Sequence, residues 1–328
     1  MLVNATAPAI KAAAPPRVTR TREIEQIEFG IQASIAENVF DVFKPLKFEP
    51  GHPSLYLFAK RDTLFSVEKH PTGKLLLIKE LSEVSASNQD QVNALNAEAE
   101  ALQDLRGCKH IVQIEMDEYG NFFRNNKLVM EYIQGATLKN LYSSPIDPLK
   151  ALFITSLLLK ALKEAHFRQF IHRDIKGSNI MVALDGSIKL IDFGISKRRF
   201  RNVSEKLGAI GGTLEYLAPE NILEPNLTAA PQLDLYSTGI LLFELLEGRP
   251  PFDFDGDIQK LSDFIIHPEE YPFIFEKTPG RLQPFIRKMT DKNSRLRPVN
   301  AAVSLQEVIA LFEQQIDVNP DAAIKYLA

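Results

Sequence analysis

The chain has 328 residues, 45% hydrophobic and 24% charged, enough apolar material for one large two-lobed domain or two ordinary ones, and this excludes wholesale disorder or a fibrous repeat. Thirty-eight Lys and Arg against 42 Asp and Glu leave a net charge of −4, of the wrong sign and size for a protein that coats nucleic acid. A single cysteine, Cys108, excludes an internal disulfide and a Cys-rich zinc module, and it reads as a core residue of a protein in a reducing, cytoplasmic compartment.

Residues 1–22 are Ala/Pro-rich and carry Lys11, Arg17, Arg20 and Arg22 with no acid before Glu23. Such a segment cannot build a core and reads as a flexible basic tail; a transit-type targeting segment is disfavoured because serine is absent. The apolar residues between Ile24 and Phe43 predict an ordered N-terminal extension over 23–53, with a helix around Ala33 to Phe43 that ends before Pro45. Short alternating segments follow at Leu55 to Ala59, Leu64 to Val67 and Leu75 to Leu81, the last after the turn His70-Pro71-Thr72-Gly73, and predict three antiparallel strands. A helix with Ser85 or Ser87 as its N-cap is expected next, its apolar face made by Val92, Leu95, Ala99, Leu102 and Leu105, ending near Gly107.

Two further strands, around Ile111 to Met116 and Asn126 to Ile133, complete a small α+β unit. From Pro148 the pattern turns helical, with long runs at Leu149 to Arg168, Leu233 to Leu246, Leu282 to Met289 and Val303 to Gln315. No apolar run reaches the ~18 residues of a membrane span, so none is expected. Glycine is scarce, 16 residues, and none lies between Gly51 and Gly73.

Three motifs follow in order: His172-Arg173-Asp174-Ile175-Lys176-Gly177-Ser178-Asn179, Asp192-Phe193-Gly194 and Ala218-Pro219-Glu220, with Lys79 at the end of the third strand upstream. Together they resemble the eukaryotic-type protein-kinase family, serine/threonine branch, over about Ser54 to Gln315. The resemblance implies an α+β, bilobal fold: a small five-stranded antiparallel sheet plus one helix over 54–133, a large mainly helical lobe over 134–315, and a C-terminal tail over 316–328. It implies transfer of the γ-phosphate of ATP, with Mg²⁺, to serine or threonine of a protein substrate.

By that resemblance Asp174 orients the acceptor hydroxyl and takes its proton, and Lys176 reaches the γ-phosphate. Asn179 and Asp192 supply the hard oxygen ligands that Mg²⁺ prefers. Lys79 grips the α- and β-phosphates and pairs with Glu98; Glu100 is the competitor, but two helical positions rotate it by about 200°. Met130-Glu131-Tyr132-Ile133 matches the hinge, where backbone groups around Glu131 and Ile133 bond adenine, and Met181 packs beneath the ring. Asp234 is expected to bond the catalytic-loop backbone, Glu220 and Arg297 to form a buried ion pair, and His172, Phe193 and Leu102 to stack between the lobes, which makes His172 a core residue.

Lys176 after Asp174, and Gly212-Thr213 followed by Tyr216, resemble the serine/threonine branch, and Ile195 goes with a threonine preference. Ser178 stands where basophilic relatives often carry glutamate, which argues against a strong demand for arginine in the substrate. The sequence also departs from the family. Counting back fifteen residues from Lys79 places the three glycines of the nucleotide loop on Leu57, Ala59 and Asp62, with Leu64 over the nucleotide. Lys60 or Arg61 would then have to supply side-chain contacts to phosphate in place of backbone amides. Leu77, two residues before Lys79, narrows the adenine site. The place where Arg173 would meet a phosphorylated residue is Ala209, which predicts activity without phosphorylation there and leaves Ser204 as the remaining acceptor. These departures motivate an alternative, a pseudokinase acting as a scaffold or allosteric partner; a small-molecule kinase is disfavoured by the Ala218-Pro219-Glu220 platform.

Overall fold

A computed structural model describes residues 17–49, 52, 54–60, 63–117, 119–124, 126–194, 214–223, 230–252, 260, 263, 264, 267 and 272–327. Helix α1, Arg17–Val42, runs 26 residues. It starts earlier than the sequence pattern predicts, so residues 17–22 of the expected tail form its first turns. Ile27, Ile31, Ile35 and Val39, spaced by four, make one stripe of fully buried side chains. The helix stops before Pro45, whose ring disfavours helical backbone at the residue before it.

A five-stranded antiparallel sheet follows in spatial order β1-β2-β3-β5-β4. Its strands are β1 Ser54–Lys60, β2 Thr63–Lys69, β3 Leu75–Leu81, β4 Phe123–Arg124 and β5 Lys127–Glu131. The segment Ile111 to Met116, expected to be a strand, runs beside β5 but makes only isolated bridges, from Ile114 to Met130 and from Ile111 to Leu190. The side chain of Glu131 accepts the Gln113 N–H and interrupts the backbone ladder there. The fourth strand instead forms at Phe123–Arg124.

Between β3 and β5, a short helix α2 (Glu83–Ala86) precedes α3 (Gln89–Asp104). The cap of α3 is Asn88, whose side chain accepts the Asp90 N–H; neither Ser85 nor Ser87 serves, and Ser82 caps α2. Leu95, Ala99, Leu102 and Leu105 are buried in one core with Leu81, Leu128 and Met130 of the sheet, which fixes the rotation of α3 and turns Glu98 inward.

The second lobe is built on α5, Pro148–Phe167, which begins at Asp147, whose carboxylate accepts the N–H groups of Leu149 and Lys150. Before it lie β6 Gly135–Thr137 and α4 Leu138–Leu141. Strands β7 Ile180–Ala183 and β8 Ile188–Leu190 complete a three-stranded sheet of order β6-β7-β8. Then come α6 Pro219–Leu223, α7 Pro231–Glu247, α8 Gln283–Met289, α9 Ala301–Val318 and α10 Pro320–Ile324. Helices α7 and α9 both pack on α5. The expected C-terminal tail is therefore helical through Ile324, and Ala323 and Tyr326 are buried.

Helix α1 lies against α4, α5, β6 and β7 of this second lobe. Gly30 is required at one crossing: a Cβ there would sit 1.8 Å from the carbonyl oxygen of Tyr326. No helix among the described residues is long and apolar enough to cross a membrane.

Candidate active site

The loop between α5 and β7 is held from below by Asp234, which is wholly buried on α7. Its carboxylate accepts the backbone N–H of His172 at 2.9 Å, that of Arg173 at 2.7 Å, and a bond with His166 Nε2 at 2.8 Å. Burial alone would push the Asp234 carboxyl up, but these bonds, with His166 first among them, hold it below the usual carboxylate range. Arg173 is thereby kept at φ 67°, a left-handed conformation that costs a non-glycine residue energy and persists only when its surroundings over-determine it.

Above Asp234 the loop converges on Asp174. Its carboxylate receives Lys176 Nζ at 2.8 Å and Asn179 Nδ2 at 2.7 Å, and Asn179 Nδ2 also donates to the Asp174 carbonyl at 2.9 Å. The Asn179 amide N–H groups are thus spent on Asp174, and its Oδ1 is the atom left for a cation. The backbone N–H of Asp174 donates to His172 Nδ1, and His172 Nε2 bonds the Ile191 carbonyl at 3.0 Å. That pair of contacts requires a neutral imidazole with its proton on Nε2, so His172 is an orienting core residue. Phe193 packs edge-on against it, centroids 4.7 Å apart, in the same core as Leu102.

Across the cleft, Lys79 Nζ lies 2.6 Å from Glu98 Oε2 and 3.4 Å from Asp192 Oδ1. Burial would lower the Lys79 ammonium, yet Asp192 and Glu98 overcome it and hold the group above its ordinary value. Glu98 is 2% exposed whereas Glu100 faces outward, as the helical rotation requires. Asp192 sits at φ 69°. Its carboxylate and the Asn179 Oδ1 are hard donors on adjacent strand ends, a set that fits Mg²⁺ if phosphate and water complete the shell. No cluster of three or more His, Cys, Asp or Glu suited to a metal is found among the described residues.

At the back of the cleft, the Glu131 N–H donates to the Gln113 carbonyl, and the Glu131 carboxylate accepts from Gln113 N and from Lys189 Nζ, each at 2.8 Å. That side chain therefore ties the lobes together. Gln113 Nε2 further donates to the carbonyls of Cys108 and Ile111. Neither Gln113 nor Lys189 was legible in the sequence, because no motif or period marks them. Among the described residues the Ile133 N–H has no backbone acceptor. Met181 stands opposite Lys189 in the β7–β8 ladder and so shares its face, toward the hinge.

The roof departs from expectation. Phe65, not Leu64, is directly opposite Lys79 in the β2–β3 ladder, while Leu64 faces Glu80 on the other side of the sheet and is 36% exposed. Side chains alternate with a period of two, so the register alone excludes Leu64 from the Lys79 face. The Phe65 ring lies 6.0 Å from Lys79 Nζ and stacks on Phe58 at 4.8 Å and 19°. Leu77 is opposite Met130 and Val67 and does share the Lys79 face. Leu57 falls where the β1–β2 register shifts, between Tyr56 and Phe58. Arg61, Asp62, Ile195, Ser204, Ala209, Gly212 and Thr213, and the side chain of Lys60, lie outside the described residues.

Below the site, Arg297 grips both oxygens of Glu220 at 2.6 and 2.8 Å, with both residues buried. Tyr216 is anchored to α7 through its hydroxyl, which donates to Glu244, and through its carbonyl, which accepts from Ser237 Oγ at 2.7 Å.

The protein kinase domain model matches residues 62–309. The chain is 30% identical over 241 residues, 72% of its length, to a probable serine/threonine-protein kinase PknB of Lactococcus lactis, of which the match covers 37%. It is 33% identical over 53% of its length to the serine/threonine-protein kinase PrkC of Bacillus subtilis, covering 26% of that protein. To the serine/threonine-protein kinase PknL of Mycobacterium tuberculosis it is 34% identical over 52% of its length, covering 42%. The matched part thus spans less than half of each of these relatives.

Proposed function

Because the chain belongs to the protein kinase family, we propose that it is an active serine/threonine protein kinase that moves the γ-phosphoryl group of ATP to a serine or threonine hydroxyl of a protein. The observation that carries this reading is the position of Asp174, whose carboxylate is held between Lys176 and Asn179 while Lys79, Glu98 and Asp192 are already assembled across the cleft. Asp174 takes the proton of the acceptor hydroxyl as its oxygen bonds to phosphorus. The bond from phosphorus to the β-phosphate oxygen breaks, and ADP leaves. Lys176 and Lys79 neutralise phosphate oxygens, and the backbone of Glu131 and Ile133 holds adenine above Met181. Asn179 and Asp192 would hold Mg²⁺, which supplies further charge neutralisation to the phosphates. Ile195 supports threonine as the favoured acceptor.

The test is transfer of label from γ-labelled ATP, with Mg²⁺, to serine/threonine peptide pools and to the protein itself. Signal from the wild type that is absent from Asp174→Ala is expected. Equal signal from both would remove Asp174 from the chemistry, and silence in both would favour a scaffold that does not turn ATP over.

A further inference from the structure

Helix α1 precedes the region that matches the kinase domain, yet it is seated on the scaffold of the site. Strands β7 and β8 form a hairpin whose open end carries Asn179 on one side and Asp192 on the other. There Ile180 pairs with Leu190, and the Ile191 N–H donates to the Asn179 carbonyl at 2.9 Å, which ties the two positions together. The closed end meets α1. Gln32 Nε2 donates to the Asp185 carbonyl at 2.9 Å, and a Cβ on Gly186, at φ 75°, would lie 2.1 Å from the Gln32 carbonyl oxygen.

Helix and turn are therefore in backbone contact, with no room for a side chain between them. Ile31 and Ile35, beside Gln32, are fully buried in the same core as Val182 and Ile188 of the hairpin. At about 3.3 Å per residue, the hairpin is a stiff lever roughly 13 Å long, gripped by α1 at one end and carrying both candidate metal ligands at the other.

We propose that α1 is a positioning element of the active site: by clamping the β7–β8 turn it fixes the tilt of the hairpin, and hence the separation of Asn179 and Asp192 from each other and from Lys79. What those two side chains do rests on the kinase reading above. The clamp itself does not depend on it.

Three full-length variants test this: Gln32→Ala, Gly186→Ala and, as a control on the same helix, Ser34→Ala, which removes a 3.0 Å bond to Lys150 of α5 and leaves the hairpin untouched. The readouts are thermal stability, the Mg²⁺ concentration at half-maximal phosphate transfer, KM for the peptide, and hydrogen exchange at the Ile180 and Ile191 amides. Gly186→Ala is expected to raise the Mg²⁺ requirement about tenfold, the low end of the range for groups that orient metal ligands, and Gln32→Ala, which removes one hydrogen bond, by about threefold, with KM for the peptide unchanged.

Both variants should quicken exchange at Ile180 and Ile191, whereas Ser34→Ala should lower the melting temperature without either change. Should Gly186→Ala fail to fold, Gln32→Ala decides. Loss of stability in Gln32→Ala with unchanged Mg²⁺ requirement and unchanged exchange would overturn the proposal. A wild type that transfers no phosphate would sink the kinase reading alone, and exchange at the two amides would then decide the clamp: faster in Gln32→Ala supports it, unchanged overturns it.

Discussion

Below the cleft, the loop from His172 to Asn179 is fixed by a buried carboxylate that accepts two backbone N–H groups and a histidine bond. Above it, the β1–β2 hairpin is fixed by ladder hydrogen bonds and by a stack of two partly exposed phenyl rings, Phe58 and Phe65. The contrast separates two ways of placing a functional group. A buried charge has no acceptable alternative to its partners, so the floor has one low-energy arrangement. A hairpin with an apolar stack can drift or slip without stranding a charge, so the roof tolerates a change of register that the floor does not.

The sharpest way to break this contrast is at the floor's reactive end. On the proposed reading Asp174→Ala removes the acceptor of the substrate proton, and phosphate transfer should then fall by about 10²–10⁴-fold, the range for a positioned general base. The melting temperature should change little, because Asp174 lies at the mouth of the network and Asp234 at its root. A fall in stability equal to that of an Asp234 variant would show that the floor has no such hierarchy.

The next effect concerns that root. Asp234→Ala leaves two backbone N–H groups and His166 without their acceptor and should cost about 3–5 kcal/mol, read by denaturant unfolding. The pH dependence has a definite sign. Burial pushes this carboxyl up, but the His166 bond and the backbone N–H groups more than offset it, so the folded value is depressed below that of the unfolded chain. Its stabilisation is complete above the unfolded value of about 3.9 and is lost as the pH falls through the folded one. Wild type should therefore lose stability more steeply than Asp234→Asn as the pH falls below about 4. Parallel curves would mean that Asp234 is not the charge that holds the floor.

The two regions also differ in how far they can be read from sequence. The contacts that join Asp174 to Asn179 and Asp192 to Lys79 are legible because the motifs that carry them follow in order along the chain, and the inward turn of Glu98 because its helical phase separates it from Glu100. The extent of α1 was hidden: Ile27, Ile31, Ile35 and Val39 are visible as a stripe, but what they pack against is set by tertiary contacts with the second lobe. Gln113 and Lys189 carry no pattern at all, and their roles exist only through Glu131. The roof failed for a different reason. Counting residues back from Lys79 gives chain distance, whereas the face of a strand depends on pairing parity, and one residue of register exchanges Leu64 for Phe65.

That exchange supplies the smaller effects and the finest test of the comparison. Restoring glycine at Ala59 and Asp62 together should lower KM for ATP several-fold by letting backbone amides approach phosphate, at a cost of roughly 0.5–1 kcal/mol per glycine in conformational entropy. Smaller still, Phe65→Ala should change KM for ATP by about two- to fivefold, in proportion to the one or so kcal/mol that an aromatic pair contributes. Leu64→Ala, on the opposite face, should leave KM within error while lowering stability slightly. The reverse pattern, with Leu64 sensitive and Phe65 silent, would show that the hairpin pairs one residue out of the register seen here. Leu64 would then lie over the nucleotide as the resemblance implies, and the two walls of the cleft would no longer differ in kind.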